Sequence, residues 1–93
     1  MKTTNGPVIH LNGTSAEELE EQTRRCVETL DAALNALYQA NPHARDYYLQ
    51  GPHAFVEAQR LYEAQIVAVT AIHREWHNLL LDITEQIEER ARR

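Results

Sequence analysis

The sequence predicts an all-α fold: an antiparallel helical hairpin with a long second helix, a short extended N-terminal arm, and homo-oligomeric packing as a bundle. Three observations carry that expectation. Thr14-Ser15 opens a segment whose apolar residues recur at helical spacing. Gly51-Pro52 opens a second such segment, with no glycine or proline beyond it. The second segment is too long for the first to cover. All 93 residues read as one domain: an arm over residues 1–13, helix one over 15–40, a loop over 41–51 and helix two over 52–90.

Residues 1–7 read as a flexible lead-in broken by Gly6-Pro7. Val8-Ile9-His10-Leu11 favours β structure and ends in the turn signal Asn12-Gly13. A lone strand is unstable in water, so this run either pairs with another subunit or lies extended across the helices.

Helix one begins at Ser15, whose hydroxyl at the N-cap and Glu18 at N3 complete a capping box. Glu17, Glu18, Glu20 and Glu21 crowd the first turns, where the helix dipole favours negative charge. Leu19, Cys26, Leu30, Ala33 and Leu37 then form a stripe, widened by Val27 and Leu34. Asn41-Pro42 stops the helix, because a residue preceding proline is pushed out of the α region.

Helix two starts at Pro52, which is tolerated at the first helical position. Phe55, Gln59, Tyr62, Ile66, Val69, His73, Trp76, Leu80, Ile83 and Ile87 alternate steps of four and three, a heptad seam. Arg90, Arg92 and Arg93 suit the negative end of the dipole. The seam over residues 79–87 is expected to outrun helix one and to pack against another chain. Gln59 and His73 interrupt the apolar seam, either as residues that fix register and oligomeric state or as the lining of a ligand cavity at a subunit interface.

The formal charge is −5, from 14 acidic and 9 basic side chains. That balance disfavours duplex nucleic acid or an anionic membrane as partner, since both reward a basic face. One cysteine, Cys26, leaves no intrachain disulfide and reads as a buried thiol. Residues 1–7 lack the apolar run of a signal peptide, and no stretch approaches the ~20 apolar residues of a membrane span. A cytoplasmic protein is expected.

The loop Arg45-Asp46-Tyr47-Tyr48-Leu49-Gln50-Gly51-Pro52 holds more chemistry than a joint between helices needs. Tyrosine faces stack on planar rings, arginine forks phosphates, and aspartate or glutamine reads hydrogen-bond donors. Asn12, Thr14 and His10 add polar groups beside a helix N-terminus, where free N–H groups favour anions. The candidate ligand site is therefore Arg45, Asp46, Tyr47, Tyr48, Gln50, Asn12, Thr14 and His10. The structural alternatives are a local Arg45–Asp46 pair, tyrosines packed under the loop, and ordinary capping at Ser15.

Neither a metal nor a cofactor is expected. His73 and His77 share a helix face, but Glu75 is misplaced for a zincin motif and no third ligand stands out. No nucleophile or acid–base pair is positioned by the pattern, so an enzyme is not expected.

The sequence His10-Leu11-Asn12-Gly13-Thr14-Ser15, the following helix, Arg45-Asp46-Tyr47-Tyr48 with Gln50-Gly51-Pro52, and the long last helix resemble a group of small helical proteins of tailed bacteriophages and prophages. The resemblance covers most of the chain. It implies an oligomeric accessory protein acting in the host cytoplasm. Some phage proteins of this size blunt host defence by sequestering nucleotide immune signals. The expected function is thus non-enzymatic binding of a small anionic or nucleotide-like ligand between subunits. The alternatives are a protein–protein adaptor or inhibitor working through an exposed helical seam, and a structural phage component.

Overall fold

The computed structural model describes residues 6–92. Helix α1 spans Ala16–Gln39 and helix α2 spans Pro52–Ala91. Two 3-10 turns, Ala44–Asp46 and Tyr48–Gln50, fill the connector between them. The two long helices pack antiparallel, and no strand occurs among the described residues. Of the expected lead-in, only Gly6 and Pro7 fall within that range, and Arg93 lies outside it.

The helix ends follow their local chemistry. Ser15 is the N-cap of α1, and its Oγ accepts the Glu18 N–H at 3.1 Å. At the other end, the Ala40 N–H donates to the carbonyls of Ala36 and Leu37, and the chain leaves the helix ahead of Asn41-Pro42. Gly51 adopts φ 99°, a left-handed conformation that L side chains resist, and so turns the chain into Pro52 at the start of α2.

The heptad register of α2 matches the structure. Leu80 and Ile83 are buried, and Phe55, Gln59, Tyr62, Ile66, Val69, His73 and Ile87 are half-buried, with Trp76 at the edge of the seam. The α1 stripe is rotated from its expected position. Val27 and Leu34, read as its margin, are buried with Thr23, whereas Ala33 is exposed. The seam thus runs Thr23, Val27, Leu30, Leu34, Leu37, again in steps of four and three. Thr23 carries a hydroxyl that reads as polar in sequence, but its β-branched side chain packs well in the seam.

The expected overhang at residues 79–87 is overturned. Ile83 is 1% exposed, and Leu80 and Asp82 are buried with it. The register explains why. His73 Nε2 lies 2.7 Å from Asp31 Oδ1, although the ring N–H does not point at that oxygen. With residue 31 opposite residue 73 and ~1.5 Å of rise on each helix, Gln39 ends opposite about residue 65. Helix α1 therefore covers the C-terminal part of α2. The connector, rather than α1, runs beside the first turns of α2.

The far end of α2 is closed by the arm. Residues 6–10 take no regular structure and lead into a turn at Leu11-Asn12. The Ile9 N–H donates to Gln86 Oε1 at 2.9 Å, and Gln86 Nε2 donates to the Pro7 carbonyl at 2.9 Å. One side-chain amide thus presents the donor and acceptor that a neighbouring strand would. Ile9 is buried under this latch, while Val8 and Leu11 point outward. The second reading of the β-favouring run, an arm lying across helices, is the one observed. The result is a rod of 65 × 20 × 20 Å with a radius of gyration of 19.3 Å, against about 12 Å for a compact chain of this length. No helix among the described residues is long and apolar enough to cross a membrane.

Candidate ligand site

At the connector end, the 3-10 turns satisfy themselves through the backbone. Asp46 N–H donates to the His43 carbonyl, Tyr47 N–H to Ala44 and Gln50 N–H to Tyr47, each at 3.0 Å. The side chains are released from turn-making and displayed. Arg45, Asp46 and Gln50 are exposed, and among the described residues Arg45 and Asp46 form no ion pair with each other. Tyr47 is half-buried against Phe55, with ring centroids 6.2 Å apart and planes tilted by 52°, an edge-to-face type of packing. Tyr48 is 73% exposed. The two tyrosines therefore divide the expected roles: Tyr47 packs under the loop and Tyr48 offers a free face.

Ala44, Tyr47, Tyr48, Gly51, Pro52 and Phe55 wall an open, largely apolar groove of 380 Å³. Phe55 was read only as the first seam residue. It lies beyond the reach of α1, so its ring is left for Tyr47 and the groove. The register of the hairpin was needed to see that.

At the arm end, His10, Asn12 and Thr14 are all exposed. The Gly13 N–H donates to the His10 carbonyl at 3.2 Å, closing the turn. The His10 ring folds over Gly13, where a Cβ would stand 2.7 Å from its Nε2. A side chain at position 13 would push the exposed His10 ring aside. His10, Ser15, Ile87 and Arg90 border a second groove of 380 Å³. Ser15 itself is occupied as a cap, as in the structural reading of this segment.

These two clusters are separated by the length of α1, 24 residues or roughly 36 Å. Arg45, Asp46, Tyr47, Tyr48 and Gln50 sit together; His10, Asn12 and Thr14 sit together at the opposite end. One chain does not unite them.

Between the ends, His73 meets Asp31 of the facing helix, and His77 is exposed with its ring 6.1 Å from that of His73. Among the described residues no three His, Cys, Asp or Glu side chains gather as metal ligands would. Cys26, expected to be buried, is half-buried beside Trp76. On the connector half of α2, the Arg60 side chain hydrogen-bonds Glu57 and holds its carboxyl below the usual carboxylate range. Both groups are fully exposed, and they take no part in either groove. Compared with protein-family models, with curated proteins and with solved structures, the chain finds no match.

Proposed function

We propose that this chain is a non-enzymatic binding protein that holds a small anionic, nucleotide-like ligand at its connector end. One observation carries the reading: an aromatic groove of Tyr47, Tyr48 and Phe55 opens beside exposed Arg45 and Gln50. The Tyr48 face and the groove floor take a planar ring by stacking. The Arg45 guanidinium forks a phosphate, and Asp46 and Gln50 read ring or ribose donors. In the phage setting suggested by the sequence resemblance, such binding sequesters a host nucleotide signal in the host cytoplasm. The site completes itself between copies of the chain, with His10, Asn12 and Thr14 as the second wall.

Isothermal calorimetry of the full chain against cyclic dinucleotides, cyclic trinucleotides and ADP-ribose tests this reading. The expected result is one micromolar or tighter ligand, with affinity cut at least tenfold by Arg45→Ala or Tyr48→Ala and melting temperature unmoved. Absence of heat for the whole panel at tens of micromolar, or equal affinity in both variants, overturns it.

A second reading, an adaptor or inhibitor that docks a protein, draws on the outward Val56 and Val67, 63% and 69% exposed on α2. In that case Val67→Asp abolishes capture of the partner and Arg45→Ala does not.

A further inference from the structure

The surface of the chain is larger than its mass explains. It exposes 7188 Å², whereas a compact monomer of 10.7 kDa is expected to expose about 5,500 Å². A stable pair hides roughly 800 Å² on each partner. The excess is that of a 65 × 20 × 20 Å rod, whose long side gives room for one such interface, and its apolar residues are not spread evenly.

On α2, Leu61, Ile72 and Trp76 are 49%, 45% and 36% exposed. Steps of eleven and four place all three on one side of the helix, next to the seam. On α1, Gln22, Arg25, Cys26, Thr29 and Leu30 come up to the same side, and with Ile72 and Trp76 they line an open groove of 380 Å³, mostly apolar. Arg25 is the one charged side chain of that lining, and it is paired with Glu21 at 3.1 Å. Cys26 and Leu30 belong to the α1 stripe that the hairpin seam leaves off-centre. The stripe is wider than one facing helix needs, and the excess lies on this side.

We infer that this face is the interface between two copies of the chain, packed antiparallel as a four-helix bundle. Ile72 stands at the midpoint of the forty residues of α2. A two-fold axis there lets the same patch meet itself, as a closed dimer requires, and gives the rods full overlap. The axis also brings the connector of one copy beside the arm of the other. Arg45, Tyr48 and Gln50 then face His10, Asn12 and Thr14 of the second copy. The two clusters that a single chain holds apart become two walls of one cleft, twice per dimer. The inference rests on the proposed ligand reading only for what the cleft holds, because the pairing itself needs no ligand.

Energy transfer between separately labelled chains tests it without ligand. In a Cys26→Ala background, one sample carries a donor on Gln50→Cys and another an acceptor on Asn12→Cys. Mixing at tens of micromolar is expected to give strong transfer. A pair labelled at position 50 on both chains is expected to give almost none. Ile72→Asp is expected to abolish transfer, and Val67→Asp, on the other side of α2, to leave it unchanged. Should circular dichroism show Ile72→Asp unfolded, Leu61→Asp serves in its place. Absence of transfer in the 50/12 pair, strong transfer in the 50/50 pair, or transfer that survives Ile72→Asp in folded protein overturns the inference. Calorimetry that still finds a ligand in that event leaves the connector reading standing on one chain.

Discussion

At the scale of single residues, Gln86 and Ile83 carry the most weight. Among the described residues Gln86 is the one side chain that grips both Pro7 and Ile9, so Gln86→Ala leaves the N–H of a buried isoleucine without its partner. A neutral hydrogen bond contributes about 0.5–1.5 kcal/mol, and an unmet buried donor costs about 1–3 kcal/mol. The variant is expected to lose about 1–2 kcal/mol in urea unfolding and to speed hydrogen exchange at the Ile9 amide while α1 amides keep their protection. Ile83, 1% exposed, is expected to cost about 2–5 kcal/mol as Ile83→Ala, through lost burial and the cavity left behind. By contrast, the Glu57–Arg60 pair is fully exposed. Its carboxyl is held low in the folded chain, so its small stabilisation is present above the unfolded value and fades as pH falls through the folded one.

At the scale of elements, the two helices were readable because their signals are local. Ser15 with Glu18, Asn41-Pro42 and Gly51-Pro52 fix three boundaries by backbone chemistry alone. The four-three steps from Phe55 to Ile87 fix the buried side of α2. Ser15→Ala removes the cap that holds the Glu18 N–H and is expected to cost about 1 kcal/mol, read as a lower melting temperature. What the sequence did not disclose is how far one helix slides along the other. Periodicity names a face but not an offset, since every turn of a heptad seam resembles the next. The offset is marked by Asp31 beside His73 and held by Gln86 catching the arm, and it needs a connector long enough to run along the start of α2. The slide decides which end of α2 is covered, so it also decides that Phe55 joins the tyrosines and that the arm cluster stands a helix away from the connector cluster. The polar and aromatic groups at each end were legible as residue types; which of them stand together was not.

At the scale of the whole molecule, the shape sets the question. A hairpin with a radius of gyration of 19.3 Å buries a narrow seam and leaves Leu61, Ile72 and Trp76 partly in water along its side. The proposed antiparallel pair would remove that face from solvent and build two clefts from groups that one chain keeps apart. Sedimentation equilibrium of the unlabelled, ligand-free chain, with Trp76 fluorescence followed on dilution, tests the central claim most directly. The account predicts a species of twice 10.7 kDa at tens of micromolar, with Trp76 emission moving to longer wavelength as the pair dissociates. A folded species that stays at 10.7 kDa, with emission indifferent to concentration, would contradict it.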